Sequence, residues 1–273
     1  MRKFRFFGRF ALILSAALGA GSGTVNAHEF WLDPVSYTPA VGAVVPIVFR
    51  IGSDFHGDTF PYIRALDRHF SVTDSRGTSK PETLDGDDPA AEVKFATKGL
   101  AIVAHQRGQE DVQFKTMAAF EENLRYEGLE PLIEAHKKAG KPDTDIRELY
   151  TRYAKALVQV GGGTGSDKVL GLPYELVAEN DPYAHPKGQP FAVRFLRGGK
   201  PLAGSLVKCF QRDTPEAKAP PPQEVRTDAN GRAACDISKS GEHMISSVHM
   251  VSGTAADKAD WISHWATLSF ARK

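Results

Sequence analysis

Glu242-His243-Met244-Ile245-Ser246-Ser247-Val248-His249-Met250-Val251 reads as one long strand. Its side chains alternate, so His243, Ile245, Ser247, His249 and Val251 share one face. A second long strand, Asp260 to Phe270, follows it closely. There His264 aligns with Ile262, Ala266 and Leu268, while Trp261 and Trp265 take the opposite face. Working back from this pair, Phe191, Val193 and Phe195 alternate, Gly198-Gly199 turns, and Leu206 to Phe210 is apolar enough for another strand. A proline-rich loop, Pro215 to Pro222, and the Asn230-Gly231 turn separate further short segments. Several short strands at such spacing predict an Ig-like or transthyretin-like sandwich over residues 184–273.

Further towards the N-terminus the chain again reads as β. Val44, Val45, Ile47, Val48, Phe49 and Ile51 form an apolar run edged by Pro39, Gly42 and Pro46. Phe70 to Asp74, Ala91 to Phe95 and Leu100 to His105 are shorter candidates. After Phe114 the period changes. Phe120 and Leu124, then Leu132, Ile133 and His136, suggest two short helices broken around Gly128, with Pro131 suited to a first turn. Ile146, Leu149, Tyr150, Tyr153, Leu157 and Val160 recur at helical spacing behind the capping oxygens of Asp143 to Asp145, which predicts a third helix. Gly161 to Lys168 lacks the Gly-Lys-Ser/Thr ending of a phosphate loop and reads as a connector. The expected fold is mainly β: two β-sandwich-like units with a small helical insertion between them. The divisions are a signal at 1–27, an N-terminal β unit at 28–183 with the insertion at about 116–160, and the sandwich at 184–273.

The first 27 residues carry the marks of an export signal. Arg2, Lys3, Arg5 and Arg9 are a basic start, Phe10 to Ala20 is an apolar stretch too short to span a bilayer comfortably, and Val25-Asn26-Ala27 places small residues at a cleavage site. A weaker cut after Ala20 is the alternative. Cleavage after Ala27 would begin the mature chain at His28, with a free α-amine and an imidazole on one residue. Both are available as neutral ligands close to neutral pH, and together they can chelate one metal ion. The plain alternative is a histidine left there by the signal peptidase. The expected compartment is the periplasm.

The whole chain carries +1, and removing a signal with four basic and no acidic residues takes the mature chain to −3. That argues against nucleic acid or an anionic membrane as the main partner. Cys209 and Cys235 are the only cysteines. In an oxidising compartment they are expected to pair, contributing roughly 3–4 kcal/mol, and a four-cysteine zinc site is excluded. Asp54, His56 and Asp58 occupy alternate positions of one polar loop, His105 ends a small-residue strand, and His69, His243 and His264 sit on others. Solvated loop or hydrogen-bonded strand residue is the default reading for each. The chain contains no Gly-x-Ser-x-Gly elbow, no His-Glu-x-x-His and no nucleotide fingerprint.

Several segments together resemble one family. They are His28-Glu29-Phe30-Trp31-Leu32, Arg147 to Lys155, Gly199 to Gly204, Thr227 to Gly231, Val248-His249-Met250 and Ala259 to Phe270. The pattern is similar to the DUF4198 family, which includes periplasmic components associated with nickel and cobalt uptake systems of the energy-coupling-factor type. The resemblance implies an exposed mature His28 and favours His249 over His243 or His264 as its partner. Asp54, His56 and Asp58 fall on no motif position. The expectation is therefore an exported, non-enzymatic transition-metal-binding protein with His28 and His249 as ligands and a membrane permease as partner. Nickel or cobalt is favoured, while amine and imidazole nitrogens suit copper and zinc equally. Two other readings stay open: a copper histidine-brace oxidative enzyme, and a binding or structural module of the envelope.

Overall fold

The computed structural model describes residues 29–273; His28 and the expected signal at 1–27 lie outside the described residues. The strands and helices follow in chain order as β1 Glu29–Pro34, β2 Val44–Ser53, β3 His56–Phe60, β4 Asp67–Asp74, β5 Gly77–Ser79, β6 Ala91–Lys94, β7 Gly99–Arg107 and β8 Glu110–Thr116. Then come α1 Met117–Tyr126, α2 Pro131–Lys138, β9 Thr144–Val160 and β10 Tyr174–Ala178. The C-terminal third adds β11 Phe191–Arg197, β12 Lys200–Pro201, β13 Leu206–Arg212, β14 Gln223–Arg226, β15 Arg232–Cys235, β16 Gly241–Ser252 and β17 Trp261–Arg272.

These strands make three layers. The middle layer is a nine-stranded sheet in the order β14-β13-β16-β17-β9-β7-β4-β5, with β8 also pairing β9. A four-stranded sheet of β1, β2, β3 and β6 covers one face, and a four-stranded sheet of β10, β11, β12 and β15 covers the other. One core lies on each side. Phe30, Leu32, Ile47 and Phe49 meet Val103, Ala154, Ala156 and Val158 on the first face. Leu176, Phe191, Val193 and Phe195 meet Leu157, Ile245, Ala266 and Leu268 on the second. The molecule is mainly β as expected. The middle sheet draws strands from both 28–183 and 184–273, and β17 joins β9 in parallel across that division.

The third helix expected over residues 143–160 is instead β9, a strand of 17 residues. Its apolar positions recur at three and four because both of its faces are covered. Tyr153 and Leu157 face one core, and Ala154, Ala156 and Val158 face the other. A strand buried on both sides loses the alternation by which strands are recognised. The two short helices do form. Thr116 caps α1, its hydroxyl accepting from the Ala119 amide at 3.3 Å, and Pro131 opens α2. Gly128, between them, has φ +66°, and a Cβ there would come within 2.6 Å of a Leu206 methyl. Glycine is required on both counts, and the turn is thereby pressed against the start of β13. The helices lie on the β1 side, where Phe120 and Ile133 pack with Trp261.

Cys209 and Cys235 are bonded, with their Cα atoms 5.9 Å apart. Cys209 stands on the middle sheet and Cys235 on the β10–β11 sheet, so the bond joins two layers.

Candidate functional site

Glu29, the first residue of β1, is 1 % exposed. Neither of its carboxylate oxygens has a hydrogen-bond partner among the described residues. Burial pushes its pKa well above the usual carboxylate range; Glu127 and Asp54 push it further the same way, and Lys208 opposes them. The surroundings come from elements distant in sequence. Glu127 follows α1 and accepts from Lys208 Nζ at 3.2 Å. Lys208, on β13, lies 3.3 Å from the Tyr126 ring centroid, and Tyr126 donates to Asp54 in the β2–β3 turn at 2.7 Å. Burial raises Glu127 as well, with the Lys208 ammonium pulling it back. Next to this group, Glu148 of β9 is pushed up to about 7, mainly by burial, although the Ser263 hydroxyl donates to it. Trp265 Nε1 donates to the same hydroxyl at 2.8 Å.

Buried carboxyl groups thus gather at the beginning of β1 with few cations to balance them. Such a place takes up protons, an ammonium group or a metal ion. No three His, Cys, Asp or Glu side chains among the described residues form a metal-holding group. The donors that do fit a metal are oxygens: Glu29 with both carboxylate oxygens unpartnered among the described residues, and Glu127 beside it.

Raised carboxyl groups carry a pH signature. Glu148 has an ordinary pKa of 4.5 and a folded value of about 7. Its contribution to stability is complete below pH 4.5 and is lost as pH rises through 7. Glu148→Gln should remove that loss. Urea midpoints measured at pH 5 and pH 8 should show the variant gaining on the parent at the higher pH. A constant difference between the two proteins would refute the raised pKa.

His249 stands elsewhere. It pairs with His264 across β16 and β17. His264 stacks on Tyr174 of β10 with centroids 4.1 Å apart, and His249 lies 5.7 Å from the same ring. Both histidines therefore face the β10–β11 sheet. On β17 the alternate residues Thr267 and Ser269 donate to the carbonyls of Phe30 and Leu32, at 2.7 Å each, on the opposite face. The expected pairing of His28 with His249 meets this obstacle. Glu29, the residue attached to His28, is on one side of the middle sheet, and the His249 ring is on the other. Strand parity in the sequence placed His249 and His264 on one face of their strands; it carried no information on which layer covered that face.

Of the remaining histidines, His69, His136 and His243 have hydrogen-bond partners, whereas His105 Nδ1 is buried with none among the described residues. His105 is enclosed by Phe30, Phe49 and Phe70, with burial lowering its pKa to about 3. His243 Nε2 bonds the Lys239 carbonyl and its ring stacks on Phe270. His69 bonds Ser71, and His136 accepts from Trp261 Nε1 at 3.0 Å. In the polar loop Asp54 accepts from Tyr126 beside the Glu29 group, while His56 and Asp58 lie on β3 and are exposed. Sequence reasoning missed Glu29, Glu127 and Lys208 because they meet only through the stacking of layers. The one available signal was an acidic residue inside an otherwise apolar strand, Glu29-Phe30-Trp31-Leu32.

The family model of DUF4198, a domain of unknown function, matches residues 25–251. The chain belongs to the DUF4198 family. The match runs from the end of the signal-like segment through β16, so it includes Glu29, Glu127, Lys208 and His249 and ends before β17. The shared part of this DUF4198 chain therefore contains the whole carboxylate group, whereas His264 lies beyond it. No curated protein matches the chain. None of the helices among the described residues is long and apolar enough to cross a membrane.

Proposed function

We propose that the chain is an exported periplasmic protein that binds a divalent transition metal at its mature N-terminus, as an accessory of nickel or cobalt uptake. The observation that carries this reading is the buried carboxylate of Glu29, joined by one peptide bond to His28 and surrounded by an excess of acid. Cleavage after Ala27 would supply an α-amine and an imidazole beside that carboxylate. The proposed donors are the His28 amine, the His28 imidazole and Glu29, with Glu127 able to add a further oxygen. Mixed nitrogen and oxygen donors suit nickel(II) and cobalt(II), and no redox step is needed for delivery. A permease of the energy-coupling-factor type is the proposed recipient; this follows from the family resemblance.

His249 enters this proposal as a metal-binding histidine of the same protein at a different place. His249, the partner expected for a copper histidine brace, faces away from the β1 side; His105 lies on that side but is enclosed by Phe30, Phe49 and Phe70. A purely structural module is the outcome if the processed protein binds no metal.

The test uses protein recovered from the periplasm, with its N-terminus established by mass spectrometry. Nickel(II) and cobalt(II) calorimetry should give tight binding that weakens at least tenfold in His28→Ala and in Glu29→Gln. A single residue added before His28 should do the same, because it turns the amine into an amide. A mature terminus at Gly21, or equal binding by the extended protein, would overturn the site.

A further inference from the structure

We propose that His249 and His264 form a second metal site, a two-imidazole seat for a divalent d-block cation such as zinc(II), on the opposite face of the middle sheet from Glu29. The two residues are direct cross-strand partners. Side chains so placed start about 4.5–5.5 Å apart at Cβ, a separation that lets two imidazoles close on one ion. Both residues are half-buried, and Tyr174, 4 % exposed, backs both rings. His249 Nε2 is buried without a hydrogen-bond partner among the described residues. A lone imidazole nitrogen left this way in a strand is a cost to the fold, and a ligand would remove it.

His264 has what a histidine ligand requires behind it. Its Nδ1 lies 3.4 Å from the Tyr153 hydroxyl. In the tautomer whose Nδ1 donates to that hydroxyl, Nε2 carries the lone pair, which is how outer partners orient ligating histidines. Both rings are also in the right charge state. Burial lowers His264 to about 4, with His249 and Arg197 adding to it. Burial and Arg197 lower His249 as well. Neutral imidazole is the ligating form, so protons do not compete near pH 7. Arg197 is exposed and lies over the Tyr174 ring, 5.9 Å from its centroid. Its charge works against a cation and predicts that Arg197→Gln binds metal more tightly. With two protein donors the remaining positions fall to water, giving an open site of the kind from which an ion can be passed on.

The experiment uses the periplasmic protein with one residue added before His28, which disables the N-terminal chelate and leaves the strand pair intact. Zinc(II) calorimetry on it should still show one equivalent. His249→Ala and His264→Ala should each weaken that equivalent at least tenfold, Tyr153→Phe should weaken it less, and Arg197→Gln should strengthen it. Circular dichroism and thermal melting confirm folding of each variant; if His264→Ala does not fold, His249→Ala and Tyr153→Phe decide. Absence of zinc binding by the extended protein, or binding unchanged in His249→Ala, would overturn the pair. Neither result touches the His28 reading, which is tested on the unextended chain.

Discussion

Lys155→Met is expected to lower stability by about 3–5 kcal/mol, the cost of removing one partner from a buried ion group. Lys155 is 1 % exposed in the middle of β9. Its Nζ lies 2.7 Å from Asp167 and 3.1 Å from Glu175, and it donates to the carbonyls of Lys168 and Leu176. Both carboxylates are themselves buried, and they hold the connector to β10 through the amides of Lys168, Leu170, Gly171 and Ala178. Without the ammonium, two like charges would remain in an apolar layer. The connector would loosen in consequence, since its amides depend on those charges. For a chain of this size the melting temperature should fall by roughly 6–20 °C. A fall worth under about 1 kcal/mol would show that the carboxyl groups take up protons at little cost once the lysine is gone.

The same strand explains why the sequence was partly misleading. Tyr150, Thr151, Tyr153, Val158 and Val160 have the aromatic and β-branched character of a strand. Arg152 and Lys155 interrupt any alternation, however, and their burial depends on partners contributed by other elements. The apolar residues that remained fell at helical spacing. Where one face of a strand is enough to describe it, as in β16 and β17, the sequence was sufficient: Ile245, His249, His264 and Leu268 share the face that parity assigned them. The short helices were legible from Pro131 and Gly128, whose backbone demands are local. The site was legible only at one end. His28 is proposed from the expected cleavage pattern, whereas Glu127 and Lys208 lie 81 residues apart and meet through layer packing. No spacing rule links them.

Removal of the Cys209–Cys235 bond, by the double Cys→Ala variant or by reduction, should cost roughly 3–4 kcal/mol. The bond closes a loop of 26 residues, and the chain-entropy model gives that magnitude for loops of this length. Its position adds to the argument. Cys209 lies on β13, against Ile245 of β16, and Cys235 lies on β15 opposite Phe191. The bond therefore ties the β10–β11 sheet to the middle sheet beside the core that also backs Tyr174 and the two histidines. The intervening loop packs Ala219 against Phe210 and Met244 on the other face, so the segment wraps the edge of the sheet. Reduction should free this edge first, and hydrogen exchange should quicken in β14 and β15 before β9. The effect also bears on where the protein works. Such bonds form and persist in an oxidising compartment. Protein recovered from the periplasm should therefore show no free thiol and should lose the expected stability on reduction, whereas a version without residues 1–27, kept in the cytoplasm, should titrate two thiols and match the double variant. Equal stability of the two preparations would remove the disulfide as a support for export.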